Sequence, residues 1–107
     1  RLPVDLQIAS ERVHADVEAS AYFMVAEALT NVTKHAHAER AAVRTTVAEG
    51  ALRVEVADDG VGGADPSGHG LVGMADRVTA LGGRLEIDSP PAGGTRVAAT
   101  FPLPAEG

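Results

Sequence analysis

The chain has 107 residues, enough for one compact domain with a single core and too few for two. Hydrophobic residues make up 45% and charged residues 22%, and the only aromatics are Tyr22, Phe23 and Phe101, so a globular core has to be built mainly from Ala, Val and Leu. No cysteine and a formal net charge of −6 exclude a disulfide scaffold, a thiolate metal site and a basic nucleic-acid footprint, and make an anionic membrane a poor partner.

In chain order, "PVDLQI" alternates Val4, Leu6 and Ile8 with Asp5 and Gln7, which predicts a half-buried strand. From about residue 16 to 36 the period becomes helical: Ala21, Val25, Ala28, Leu29, Val32 and Ala36 share one arc, and Glu27, Asn31, Lys34 and His35 share the opposite one. Tyr22 and Phe23 are expected at or near the core. Val43, Thr45, Val47 and then Leu52, Val54, Val56 alternate on either side of "EG", which predicts an antiparallel hairpin turned at Gly50. A glycine-dense loop, "ADDGVGGADPSGHG", leads into a second amphipathic helix with Leu71, Met74, Val78 and Leu81 inward, closed by Gly82 and Gly83. Leu85 and Ile87, then Val97, Ala99 and Phe101, mark two final strands around "SPPAGG".

Strands that arrive in hairpins with one apolar face argue against a doubly wound sheet. The expected fold is a two-layer α/β sandwich with a mixed, largely antiparallel sheet and helices on one face. No repeat or linker divides the chain, and it opens at "RLPVDL" without an initiator Met, so residues 1–107 read as a single domain cut from a longer protein. No apolar run approaches the roughly 20 residues that span a bilayer. The domain is expected in the cytoplasm, and its parent protein could be membrane-anchored.

Two constellations carry chemistry. "DDGVGG" follows a strand and "GHGLVG" opens a helix, so glycines let backbone approach a ligand while a helix N-terminus offers unpaired N–H groups to phosphate. The loop matches neither GxxxxGK[ST] nor a βαβ GxGxxG. Asp58, at the strand end, is either a turn-capping aspartate or an acceptor for an exocyclic amine such as adenine N6. On the helix, Asn31 offers a neutral oxygen suited to Mg²⁺, Lys34 and His35 lie a turn further on where they could meet phosphate, and Glu27 lies a turn earlier where it could orient or deprotonate a nucleophile. A solvated polar face is the plainer alternative for the helix, and an ordinary surface loop for the glycines.

"EALTNVTKHA", "DDGVG", "GHGLVGMADRV" and "GGTRVAATFPLP" occur in the order, and near the spacing, found in the catalytic ATP-binding domain of sensor histidine kinases, which the chain resembles over about residues 17–103. The "GLVGM…R" helix and short lid look like the class of nitrate- and desaturase-type sensors, and the Glu–x–x–x–Asn helix with the Asp–x–Gly–x–Gly loop is shared by the wider superfamily that includes DNA gyrase. The resemblance implies a Bergerat-type ATP-binding fold and Mg-ATP as the bound nucleotide. It implies Asn31 as the Mg²⁺ ligand, Asp58 as the acceptor of the adenine amine on a floor shaped by Gly60 and Gly62, and Thr95 as a holder of water between Asp58 and adenine. Gly68, Gly70 and Leu71 would form the junction of lid and helix near the phosphates, Lys34 and His35 would contact phosphate, and Glu27 matches the superfamily's catalytic acid.

Related kinases often have Arg where this chain has Ala75, whereas Arg77 keeps the second basic position, as a phosphate contact or a surface ion pair. His69 in the lid is read as solvent-exposed, His14 and His37 as surface residues, and the lid's Gly, Pro and Ser content predicts mobility. The implied reaction is transfer of the γ-phosphoryl to a histidine on a separate dimerisation domain of the same kinase, for relay to a response regulator. None of the four histidines here has the setting of that acceptor. A superfamily ATPase, a kinase acting on serine, and a nucleotide-sensing module without transfer are the alternatives.

Overall fold

The computed structural model describes residues 2–63, 68 and 70–104, the side chains of residues 35 and 36 excepted. Strand β1 (Val4–Gln7) precedes helix α1 (Ala15–Asn31), which runs on into a π turn (Val32–Ala36); β2 (Ala41–Ala48), β3 (Ala51–Asp58), helix α2 (Leu71–Ala80), β4 (Arg84–Asp88) and β5 (Thr95–Pro102) follow. The sheet order is β1-β2-β3-β5-β4, with β1 parallel to β2 and every other pair antiparallel. Both helices lie over one face, giving the expected two-layer sandwich.

Strand alternation builds the core. Val43, Leu52, Val54, Val56, Val97, Ala99 and Phe101 point under the helices, where Val17, Met24 and Ala28 of α1 and Leu71, Met74 and Val78 of α2 meet them. The opposite face is solvated and cross-linked by charge: Arg44 Nε donates to Gln7 Oε1 at 3.1 Å and Arg96 Nη1 to Glu55 Oε2 at 2.8 Å. Gly82, at φ 76°, ends α2 by turning its N–H onto the Thr79 carbonyl at 2.9 Å.

Three expectations are corrected. Val4–Gln7 is a strand but not half-buried: Leu6 is 62% and Ile8 58% exposed, because β1 is an edge strand beyond the reach of the helices. The α-helix ends at Asn31 rather than continuing to residue 36, and the wider π turn changes the phase at which Lys34 leaves the axis. Tyr22 is 78% exposed, while its neighbour Phe23 is half-buried beneath the guanidinium of Arg77, 4.0 Å from ring centroid to Cζ. That stacking ties α2 to α1 and gives Arg77 a structural partner.

Candidate functional site

The site begins where the apolar columns of the sheet stop. On β3, Leu52, Val54 and Val56 stand opposite Phe101, Ala99 and Val97 of β5, and the next pair in that register is Asp58 with Thr95. On β4, Leu85 and Ile87 stand opposite Ala99 and Val97; two residues beyond Ile87, Ser89 continues the row, its Oγ 2.6 Å from Thr95 Oγ1. One carboxylate and two hydroxyls, all half-buried, therefore cap the core at this end. On the other side of Asp58 the row continues with Ala41, buried and small enough to leave room beside the carboxylate.

The two consecutive aspartates divide the work. Asp59 Oδ1 accepts from the backbone N–H groups of Arg40 at 3.0 Å and Glu39 at 2.9 Å, which lowers its pKa and fastens the entry to β2 onto the glycine loop. Asp58 Oδ1 accepts from Gly60 N at 2.7 Å, and its other oxygen takes no partner among the described residues. Asp58 thus both caps its turn and keeps a lone-pair-rich oxygen for an incoming donor, so the two readings of this residue are compatible.

The glycines are where the loop meets the β4–β5 turn. A Cβ at Gly62 (φ 68°) would run into the Pro90 carbonyl and lie 2.9 Å from that of Gly94, and one at the buried Gly94 (φ 78°) would run into the carbonyl of Asp58. Gly63 N donates to Ser89 O at 2.8 Å and Ala92 N to Val61 O at 2.6 Å, so the loop and the turn form one hydrogen-bonded unit around Asp58 and Thr95.

The second half of the site comes from the helices. Glu27 and Asn31, four residues apart on α1, are half-buried rather than on an open solvated face. The Glu27 carboxylate lies against Gly70, the N-cap of α2, where a Cβ would collide with Oε2; an acid there faces the positive end of the helix dipole. Leu71, 2% exposed, anchors that helix start in the core, and its N–H donates to Gly68 O at 3.0 Å. Val32 packs on Ala41, which brings the end of α1 to the same end of the sheet as Asp58. Lys34 is exposed on the π turn; the side chain of His35, and His69 with lid residues 64–67, lie outside the described residues. Among the described residues no three His, Cys, Asp or Glu side chains cluster as a metal cage. The single amide oxygen of Asn31 fits Mg²⁺ in the form that leaves most coordination to phosphate oxygens and water.

Residues 16–105 match the family described as "Histidine kinase-, DNA gyrase B-, and HSP90-like ATPase". The chain belongs to that family. Within it, the chain is an ATP-binding domain of the histidine kinase type. It is 33% identical over 106 residues to the nitrate/nitrite sensor protein NarQ of Escherichia coli, covering 94% of this chain and 19% of NarQ. The oxygen sensor histidine kinase NreB of Staphylococcus carnosus is 35% identical over 99 residues, 88% of this chain and 28% of NreB. A blue-light activated histidine kinase of Erythrobacter litoralis superposes with a TM-score of 0.83 at 27% identity, covering 95% of this chain and 35% of that one. The chain spans less than a third of the length of these two curated relatives.

For a histidine kinase-type ATPase domain, sequence reasoning missed Ser89 and the steric role of Gly94. The strand pattern put Asp58 at a strand end, and Thr95 came from the resemblance alone. It did not show that "SPPAGG" folds back to set a hydroxyl six residues upstream against Thr95.

Proposed function

We propose that this domain binds Mg-ATP and transfers the γ-phosphoryl to a ring nitrogen of a histidine on the dimerisation domain of its parent sensor kinase, from which a response regulator takes it. The observation that carries this reading is the polar end of the core. Asp58, held by Gly60 and facing Thr95, keeps one carboxylate oxygen for an exocyclic amine. The start of α2 meets Glu27 one turn from Asn31 at the same end of the sandwich.

In this reading Asp58 accepts from adenine N6, Gly60 and Gly62 let the base lie against backbone, and Thr95 holds a water between Asp58 and the ring. Asn31 would hold Mg²⁺, which neutralises phosphate charge and aligns the γ-phosphoryl. Lys34 and His35 reach for phosphate, and Gly68, Gly70 and Leu71 present the backbone at the beginning of α2. Glu27 orients the incoming imidazole. Phosphoryl transfer needs mostly position and charge neutralisation, so these binding groups carry most of the catalysis. The partners are the histidine-bearing domain and the response regulator, in the cytoplasm. Among the described residues no helix is long and apolar enough to cross a membrane, and the net charge of −6 gives no footprint for nucleic acid.

Calorimetric titration of the chain with ATP, with and without Mg²⁺, tests this. Asp58→Asn replaces the charged acceptor by an amide that can present a donor to a donor, and should weaken ATP by about 1–3 kcal/mol, roughly ten- to a hundredfold. Asn31→Ala should remove the Mg²⁺ dependence. The chain alone should show little autophosphorylation; with its cognate dimerisation domain it should yield an acid-labile phosphohistidine, and an acid-stable phosphoserine would overturn the histidine assignment.

A further inference from the structure

We infer that strand β1 is an association edge for a second copy of this chain, the two β1 strands pairing antiparallel about a two-fold axis at Leu6.

β1 is the outermost strand of the sheet and pairs only with β2. Ala41 N donates to Pro3 O at 3.1 Å. In a parallel ladder the bonding then alternates along the strand, so Asp5 and Gln7 turn their backbone groups toward β2. The N–H and C=O groups of Val4 and Leu6 face the open edge and take no partner among the described residues. Their side chains lie on the helix-bearing face of the sheet, Leu6 beside the core residue Val43. No helix covers them there: Val4 is 38%, Leu6 62% and Ile8 58% exposed. The residue that leads into the strand turns inward, Leu2 packing on Val32 and Ala41.

That edge is self-complementary. With the axis at Leu6, Leu6 meets its own copy, Val4 meets the second copy's Ile8, and Asp5 meets the second copy's Gln7. Apolar side chains then face apolar ones on one side of the sheet, and no like charges stand opposite each other. Val4 and Leu6 fall at hydrogen-bonded positions, matching the groups that the edge leaves open, and Asp5 falls at the closer, non-hydrogen-bonded position. Arg44 Nε donates to Gln7 Oε1, so the NH2 of that amide is left as a donor for the second copy's Asp5 carboxylate. An axis at Asp5 would set two carboxylates opposite each other, and an axis at Gln7 would leave Val4 unpaired. The two-fold stands perpendicular to the sheets, which merge into one with both helix layers on the same face. Leu6 and Ile8 of both copies then floor the cleft between those layers. The contact runs only from Val4 to Ile8 on each side, against roughly 20–30 residues a side in a stable interface. Association is therefore weak in solution and becomes substantial where two copies are tethered at effective concentrations of about a millimolar.

Sedimentation equilibrium and cysteine cross-linking of the chain test this. Wild type should pass reversibly from monomer to dimer as its concentration rises through about 0.1–1 mM. Leu6→Lys should stay monomeric with its melting temperature unchanged, because the side chain it replaces is already exposed. The chain has no cysteine, so Leu6→Cys should give a disulfide-linked dimer on oxidation, at the roughly 5.5 Å Cα spacing of a hydrogen-bonded pair. Asp5→Cys alone, out of register with its own copy, should not cross-link, whereas a mixture of Asp5→Cys and Gln7→Cys chains should give the mixed dimer. A wild type that stays monomeric beyond this range, a dimer that survives in folded Leu6→Lys, or Asp5→Cys cross-linking as fast as Leu6→Cys overturns the inference. Amide exchange at Leu6 that slows only in a longer parent protein, with the chain still monomeric, assigns the edge to another segment of that parent and equally overturns it.

Discussion

The two ends of this sheet are built from the same strands and solve opposite problems. At one end β2 and β3 close in a two-residue turn with Glu49 at φ 54° and Gly50 at φ 75°, and Gly50 O accepts from Leu103 N at 2.8 Å. His14, Asp16 and Val17, at the start of α1, and Leu81, at the close of α2, line a shallow hollow with Leu103 at that same end. At the other end the apolar columns stop at Asp58, Thr95 and Ser89, with two backbone segments pressed together through Gly62 and Gly94. The first end uses positive φ to turn the chain and leaves open space around it. The second uses positive φ to bring carbonyl groups closer than any side chain permits. Positive φ alone therefore does not identify a site; the surroundings of the glycine do.

One substitution made at both ends breaks that comparison open. Gly94→Ala combines a left-handed backbone with a Cβ driven into the carbonyl of Asp58, and should destabilise by about 3 kcal/mol or more. It should also lower ATP affinity at least about tenfold, by moving the carboxylate. Gly50→Ala has the same sign of φ and nothing within 4 Å of the added Cβ, so it should cost only the backbone term, about 1–2 kcal/mol, with ATP affinity unchanged. Urea unfolding and calorimetry on both variants decide it. Equal losses of binding would mean that the polar end is not specially coupled to nucleotide.

The same contrast explains what could be read from the sequence. Alternation in β2, β3 and β5 disclosed the core and put Asp58 at a strand end. Those features depend on local period alone. Ser89 was hidden because its partnership depends on the β4–β5 register, which the geometry of "SPPAGG" sets and no period reveals. The exposure of Leu6 and Ile8 was hidden for a related reason: alternation announces a strand but not whether any helix covers its face. Tyr22 and Phe23 leave a helix about 100° apart, a separation at which Ala28 and Leu29 both pack on the core, so the period alone could not tell them apart and tertiary packing chose Phe23 for Arg77. The change to a π turn after Asn31 carries no Gly or Pro to mark it, so an unbroken 3.6-residue period over-extended the helix.

At the turn end, Glu49 offers a smaller and opposite test. A glutamate at φ 54° beside Gly50 at φ 75° occupies a position that Asn fills with less strain. Glu49→Asn should stabilise the domain by about 0.5–1 kcal/mol in a thermal or urea melt, with ATP affinity unchanged. A gain in stability accompanied by a change in nucleotide binding would show that the two ends communicate through β3.

The smallest effect concerns pH, again at the end away from Asp58. Arg12 grips Glu18 through Nε at 2.8 Å and Nη2 at 3.0 Å, and the Val13 N–H adds a third contact at 3.3 Å. The Arg12 hydrogen bond first, then the backbone N–H, holds the Glu18 carboxyl at about 2, below its ordinary 4.5. The folded chain therefore binds fewer protons here than the unfolded chain. The contribution is complete above about 4.5 and is lost as pH falls from there toward 2. Because the pair is exposed, its contribution is modest and weakens further with salt. Asp59, lowered by the N–H groups of Arg40 and Glu39, shifts with the same sign at the polar end. Melting temperatures followed down through this range should fall less steeply in Glu18→Gln than in wild type, and the difference should shrink at high salt. Asp59→Asn should flatten the same curve and, unlike Glu18→Gln, should also weaken ATP, since Asp59 ties the entry to β2 to the loop beside Asp58.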